Sequence, residues 1–421
     1  MGRQAVVGVG VAVVLGVIVF GIAQRQADPP PRMTAGQPLE TRPPEKADDK
    51  PAFPSQTRAP YQPGAAVDVA LITDKLALPW SLAFLPDGKM LVTEKRGAMR
   101  IVDAAGTISS PVSGVPTVLY QGQVGLLDVA LDTAFAMNHR LFFTFAEAVD
   151  GDASFHIAVA RATFDEAAAE LQNVRVIFRA VPDLSRGQSA NSGGRIAIAS
   201  DGTLFVAIGD RSQSPPYNRA QELNTHLGKI VHITVDGVAA PGNPFASTPG
   251  ALPEIWSLGH RTEEGLTFDA NGQLWETEHG PRGGDELNKI VAGNNYGWPV
   301  IVHGIDYPGT TIGAGLTEKP GMEQPVYYWD PVIAPSGLAF YTGSLFPSWR
   351  NSVLVGALRG TRISRLTMNG DRVESEEPLL VDQHSRIRDI RVGPDGAVYV
   401  LTDTDGKLLK LTPTGRTSSP R

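Results

Sequence analysis

An all-β chain folded as a six-bladed β-propeller of four-stranded antiparallel blades is what this sequence predicts. Three observations carry that expectation. A short apolar strand, a turn and a second apolar strand recur six times between residues 80 and 403. Glycine (45) and proline (33) are abundant, which favours turns over long helices. No long segment shows sustained helical spacing, and Phe164 to Leu171 is expected to form one short helix at most.

The chain opens outside that pattern. After Arg3 an unbroken small and apolar run extends from Ala5 to Ala23, which is 19 residues. A helix needs roughly 20 to cross a bilayer. The order of a short positive start, an apolar stretch and the small residues Gly21-Ile22-Ala23 is also that of a secretory signal. Residues 1–27 therefore read as a signal peptide or an N-terminal membrane anchor. Both place the globular part of the chain outside the cytoplasm, in a periplasmic or extracytoplasmic space. Residues 28–64 hold 10 prolines among charges of both signs. That composition predicts a disordered, semi-extended linker. The globular part is expected over residues 65–421.

The repeats then run in order. Trp80 to Glu94 is the clearest, with Asp87-Gly88 between its two strands. Gly125 to Phe145 is a copy with a longer turn. Gly194 to Asp210 turns at Asp201-Gly202, and Gly265 to Trp275 at Asn271-Gly272. Gly337 to Leu358 again has a longer turn, and Ile387 to Asp403 turns at Asp395-Gly396. An Asx-Gly pair between alternating apolar runs is a strong hairpin signal. Successive starts lie roughly 45 to 70 residues apart, the long end of propeller-blade periods. The competing arrangement, an array of two-sheet sandwiches, gives no reason for so regular a return. In a propeller the innermost strands surround one axis, so residues flanking distant repeats converge at one mouth.

Composition removes several classes of function. The formal charge is 37 − 44 = −7, which argues against a nucleic-acid partner. The absence of cysteine excludes disulfides, thiolate metal sites, cysteine nucleophiles and iron–sulfur clusters. The histidines lack metalloprotease spacing, and neither a Gly-x-Gly-x-x-Gly helix start nor a Gly-x-Ser-x-Gly elbow occurs.

What remains is polar sequence beside the repeats. Arg386 and Arg388 share one face of a strand, Arg261 and Arg359 flank equivalent strand ends, and Arg195 is expected at the same end of the channel. Guanidinium forks around one cavity suit a ligand rich in carboxylates or phosphates. Gly280-Pro-Arg-Gly-Gly-Asp-Glu286 reads as a tight loop whose carbonyls and acidic side chains, Asp285 and Glu286, are hard oxygen donors of the kind that suit Ca²⁺.

These segments resemble the soluble quinoprotein glucose/sorbosone dehydrogenase family, in particular its bacterial aldose sugar dehydrogenase branch. The resemblance runs from about Val67 to Pro413. Its most telling stretches are Gly122 to Asp128, Glu278 to Glu286, Asn294 to Pro299 and Arg386 to Asp389. It implies an exported propeller that uses pyrroloquinoline quinone and Ca²⁺ to oxidise an aldose at C1 to the lactone, with an external electron acceptor. By the same resemblance Arg386 and Arg388 clamp the quinone's carboxylates. Gln123, Arg261, Thr262 and Arg359 lie at the cofactor. The carbonyls of Gly280 and Pro281 hold the active-site Ca²⁺, and Glu286 with the carbonyl of Tyr296 holds a second, structural one.

Three positions depart from that pattern. Asn191 stands where the family has the histidine that takes the proton from the sugar's C1 hydroxyl, and an amide has no useful pKa for that task. Thr262 replaces an asparagine after Arg261, and Arg359 replaces a lysine. Two functions are compatible with these changes: an aldose dehydrogenase in which another group serves as base, or a propeller that binds cofactor, ligand or partner and is catalytically impaired.

Overall fold

A computed structural model describes residues 33–149, 151, 153–211 and 218–415. The apolar run within residues 1–27 lies outside them. Each repeat becomes the first two strands of one antiparallel sheet. The innermost strands are Pro79–Phe84, Leu126–Leu131, Gly193–Ile198, Glu263–Phe268, Pro335–Phe340 and Ile387–Val392. Each contacts the next and the last contacts the first, which closes the ring of six blades. The sixth blade takes its outer strand, Val67–Thr73, from the start of the domain, where it pairs with Leu408–Pro413. The two ends of the propeller are thereby fastened to each other.

The four Asx-Gly turns share one cause. Gly88, Gly202, Gly272 and Gly396 all sit at φ between +77° and +88°, a conformation that glycine adopts without a Cβ penalty. Strand count is less uniform than expected. Four sheets have four strands, the first blade has three, and the second has four plus the short Leu184–Ser185. Phe164 to Leu171 is not helical. It is the tip of a hairpin in which Phe164 pairs with Leu171, and both side chains are buried in the second blade. Among the described residues the one α-helix is the single turn Phe135–Asn138.

The third residue of each inner strand faces the axis: Ser81, Asp128, Arg195, Gly265, Gly337 and Asp389. Arg195 forms an ion pair with Asp389 at 2.9 Å and lies 4.1 Å over the Trp80 ring. Arg391 bridges Asp389 at 3.0 Å and Asp128 at 3.2 Å. These ion pairs plug the channel. The small residues leave them room, since a Cβ at Gly337 would lie 2.5 Å from Asp389 Oδ1. Arg195, expected with the other arginines at the mouth, is therefore a buried axial residue, 2 % exposed.

Residues 33–64 do not behave as an unpacked linker. They fold back through a Pro38–Pro60 bridge and cover the outer edges of the fourth and fifth blades. Tyr328 N donates to Gln56 O, and Glu376 N to Pro60 O. Gln56 is completely buried. Composition missed this because the segment is ordered by hydrogen bonds to two exposed sheet edges and needs little apolar core of its own.

Candidate active site

Arg386 and Arg388 lie at the start of the sixth inner strand, and both converge on one carboxylate. Asp403 Oδ2 accepts from Arg386 Nε at 3.2 Å, and its Oδ1 accepts from Arg388 Nε and Nη2 at 3.2 and 3.1 Å. Strand alternation thus does bring the two guanidinium groups to one side. Their circumstances differ. Arg388 is buried, and its Nη1 donates to Glu264 Oε2 at 3.0 Å. Burial disfavours its charge, but Asp403 and Glu264 outweigh that and raise its pKa. Arg386 keeps 43 % of its side chain exposed and donates to Leu358 O, one residue from the exposed Arg359. Lys95 stands in the same field, its ammonium pKa lowered first by burial and then by Arg388.

Arg261 closes the opposite wall. Its backbone N–H donates to Glu278, and its Nη1 donates to the carbonyls of His279 at 3.0 Å and Gly280 at 3.1 Å. The guanidinium lies 5.2 Å from the Trp298 ring, and its Nε has no hydrogen-bond partner. Burial, followed by the fields of Arg261, Arg388 and Arg386, drives the pKa of His279 down to about 3. Arg261 thus bonds the loop directly, and its field acts on His279 together with those of Arg388 and Arg386. His279 stays neutral, with its ring committed to Pro335 O at 2.7 Å.

Asn191 lies on the Arg261 side. Its amide donates to Asp210 Oδ1 at 2.8 Å, and Trp298 Nε1 donates to Asp210 Oδ2 at 2.7 Å. The Asp210 N–H donates to Arg261 O at 2.8 Å. Gln123 accepts the Asn191 backbone N–H at 2.6 Å and is otherwise exposed. Asn191 sits at φ +50°, where asparagine is tolerated better than most residues. Thr262 does not face the site. It is fully buried with an unpartnered hydroxyl, and only its carbonyl reaches the loop, accepting from His279 N at 3.0 Å.

The oxygen donors divide into two groups. Asp285 pins the loop: its carboxylate accepts N–H bonds from Gly280, Ile333 and Ala334 at 2.7–2.8 Å, so it is not available as a cation ligand. Glu286 has a different setting. It stands directly opposite Glu278 on the neighbouring strand, beside a small cavity that Gly280, Pro281, Tyr296 and Arg261 also line. Like charges opposed across a ladder are destabilising. Burial and then Glu278 push the Glu286 carboxyl well above its usual range, and Glu276 moves the same way for the same reasons. His260, Glu276 and Glu278 also offer one ligand atom each within 4.8 Å of one another. Buried carboxylates with uncommitted oxygens, next to loop carbonyls, are the donor set of a hard divalent cation. Gly280 O already accepts from Arg261, and a carbonyl has a second lone pair to offer.

Four residues essential to this arrangement were missed: Lys95, Asp210, Glu264 and Asp403. A signal for two of them was present, because the third and sixth repeats end on Asp210 and Asp403. The end of the second strand in a blade is a position at the mouth. Arg211, completely buried with Nε and Nη2 unpartnered among the described residues, was also unforeseen.

Residues 76–410 match the family model described as glucose/sorbosone dehydrogenase. The chain is 42 % identical over 353 residues to the aldose sugar dehydrogenase YliI of Escherichia coli, covering 83 % of this chain and 94 % of that protein. It is 26 % identical to quinoprotein glucose dehydrogenase B of Acinetobacter calcoaceticus, over 82 % of this chain and 87 % of that one. Among solved structures, the apo form of the soluble E. coli aldose sugar dehydrogenase superposes with a TM-score of 0.77 at 40 % identity, covering 83 % of this chain and 100 % of that one. The PQQ-bound aldose sugar dehydrogenase of Streptomyces coelicolor gives 0.68 at 28 % identity, over 83 % and 99 %. With the propeller and the mouth cluster in place, this chain belongs to the glucose/sorbosone dehydrogenase family.

Proposed function

We propose that the protein oxidises aldose sugars at C1 to lactones with bound pyrroloquinoline quinone and Ca²⁺, passing electrons to an external acceptor. One observation carries this reading: Arg261 bonds the carbonyls of the Gly280 loop, while Arg386 and Arg388 converge on Asp403 with the exposed Arg359 next to Leu358, whose carbonyl Arg386 holds. Four relatives or neighbours bearing sugar dehydrogenase names support it. The cofactor would supply a two-electron sink made electrophilic by the cation. The chain's own residues bind and orient. Arg386, half-exposed, offers its remaining donors to a carboxylate. Arg261 offers its unpartnered Nε to an oxygen at the mouth. Gly280 and Pro281 would hold one cation by their carbonyls, and Glu286 with the carbonyl of Tyr296 a second. The apolar run at residues 5–23 supports an exported protein, attached to the membrane if the run is not cleaved.

A second reading, a binding propeller with impaired chemistry, is favoured by two details. Asn191 cannot accept a proton, and its amide is committed to Asp210. Arg388 is already neutralised by Glu264 and Asp403. Adding pyrroloquinoline quinone and Ca²⁺ to purified protein, then measuring cofactor binding and dye reduction with a panel of aldoses, separates the readings. Binding with turnover supports the first. Binding without turnover supports the second, and no binding defeats the first.

A further inference from the structure

Residues 45–58 run behind the loop that presents the Gly280 and Pro281 carbonyls. The backbone N–H groups of Glu45 and Lys46 donate to the Asp330 carboxylate at 2.9 and 3.2 Å, and Arg58 donates to Asp330 O at 3.0 Å. Asp330 in turn lies against Gly283, where a Cβ would approach its Oδ1 to 2.6 Å. The Glu45 carboxylate takes Arg282, the middle residue of the loop, at 2.6 Å. Asp49 holds His303 at 3.1 Å in a pair that is almost fully buried, with side chains 3 % and 2 % exposed. His303 backs Gly284, and the adjoining Ile305 exchanges two backbone hydrogen bonds with Arg282 at 2.9 and 3.0 Å.

Asp330, Arg282 and His303, three supports of the loop's outer side, are therefore held by the same short segment. We propose that residues 45–58 form a strap that sets the position of the Gly280–Gly284 loop, with Glu45 and Asp49 as its positioning residues. The strap lies N-terminal to the family match over residues 76–410. Its effect is on the loop's inner face. Asp285 fixes one end of the loop from within, and the strap fixes the middle from without. Releasing the strap frees the carbonyls to wander and lowers their affinity for a cation. That last step rests on the reading of Gly280 and Pro281 as cation donors, whereas the bracing itself does not.

The test uses the full chain and two variants. Glu45→Ala with Asp49→Ala cuts the grip on the loop. Phe53→Ala weakens the strap elsewhere, at its stacking on Arg372, 3.5 Å away on the fifth blade. Amide hydrogen exchange is followed at Gly280, Gly284 and Ile305, whose N–H groups bond Asp285, Trp329 O and Arg282 O. Exchange at these three amides should rise roughly three- to tenfold in the double variant, the scale of losing one or two ion pairs, and stay within about twofold in Phe53→Ala. Terbium(III) affinity, read by luminescence, should weaken in the same pattern. Glu45→Gln, which keeps the side chain's size, should move exchange in the same direction by less. Equal changes in both variants, or none in either, would overturn the strap. If the exchange pattern holds but the wild-type protein takes no terbium, the strap stands and the cation reading falls.

Discussion

Asn191→His puts the proposed chemistry to its sharpest test. The Asn191 amide already lies 2.8 Å from Asp210 Oδ1. An imidazole built there can place Nδ1–H on that carboxylate and turn Nε2 toward the mouth. Asp210 is itself held by Trp298 at 2.7 Å, so it would fix the ring's tautomer and stabilise the imidazolium that forms. The backbone is no obstacle, because histidine is among the residues enriched at the positive φ found here. A positioned general base contributes about 10²–10⁴ in rate, or ~2.7–5.4 kcal/mol of transition-state free energy. The assay reconstitutes wild type and variant with pyrroloquinoline quinone and Ca²⁺ and measures dye reduction by aldoses alongside cofactor Kd. Turnover should rise by at least tenfold while Kd moves less than about threefold, because residue 191 reaches Asp210 and not the arginine clamp. A wild type that is already active and gains nothing from the histidine would refute the reasoning, since another group would then be the base.

Three more outcomes are expected. Glu264→Gln removes one of the two carboxylates on Arg388, so isothermal titration should show cofactor binding tightened by roughly ten- to hundredfold, the ~1.5–3 kcal/mol scale of a hydrogen bond to a charged group; Arg386→Ala should weaken it by a similar amount. Ca²⁺ at 100 times its Kd should stabilise the protein by about 2.7 kcal/mol, visible as a rise in Tm that Glu286→Gln reduces and that wild type loses in chelator. Burial raises the Glu263 pKa well above 4.5. It therefore stays protonated in the fold while ionising in the unfolded chain, and its contribution is complete below the unfolded pKa and lost as pH rises. The slope is at most ~1.4 kcal/mol per pH unit. Denaturation in chelator should show Glu263→Gln gaining on wild type as pH increases from about 5, and parallel pH curves would contradict this.

Most of the fold was legible because propeller blades write themselves locally. Asp-Gly and Asn-Gly pairs dictate turns, and alternating apolar residues dictate the strands on either side. The blade edges were less legible. The outer strands lack a turn signature as compact as Asp87-Gly88, and the hairpin tip at Phe164–Leu171 reads as helix because its alternating apolar positions are interrupted by a run of alanines.

The site shows where sequence reasoning stops. It found the cations, Arg261, Arg386 and Arg388, because guanidinium groups at strand ends are conspicuous in a row of letters. It could not find what neutralises them, because pairing is set by the ring. Glu264 and Arg388 lie 124 residues apart, yet each is the second residue of its inner strand, so propeller symmetry brings them to 3.0 Å. The same logic explains Arg195 and Asp389, both third residues, which meet at 2.9 Å on the axis. A residue's place within its blade thus decides its role. Third positions surround the axis, the second-position pair Glu264 and Arg388 sets the charge beneath the mouth, and the acids at or just past the ends of second strands, Asp210, Glu278 and Asp403, hold the groups beside them. On that scheme Glu264 is not an incidental surface acid. It sits where its charge is felt directly by one arm of the clamp, so substituting it should alter cofactor affinity while leaving the channel pairs of Arg195 and Arg391 intact.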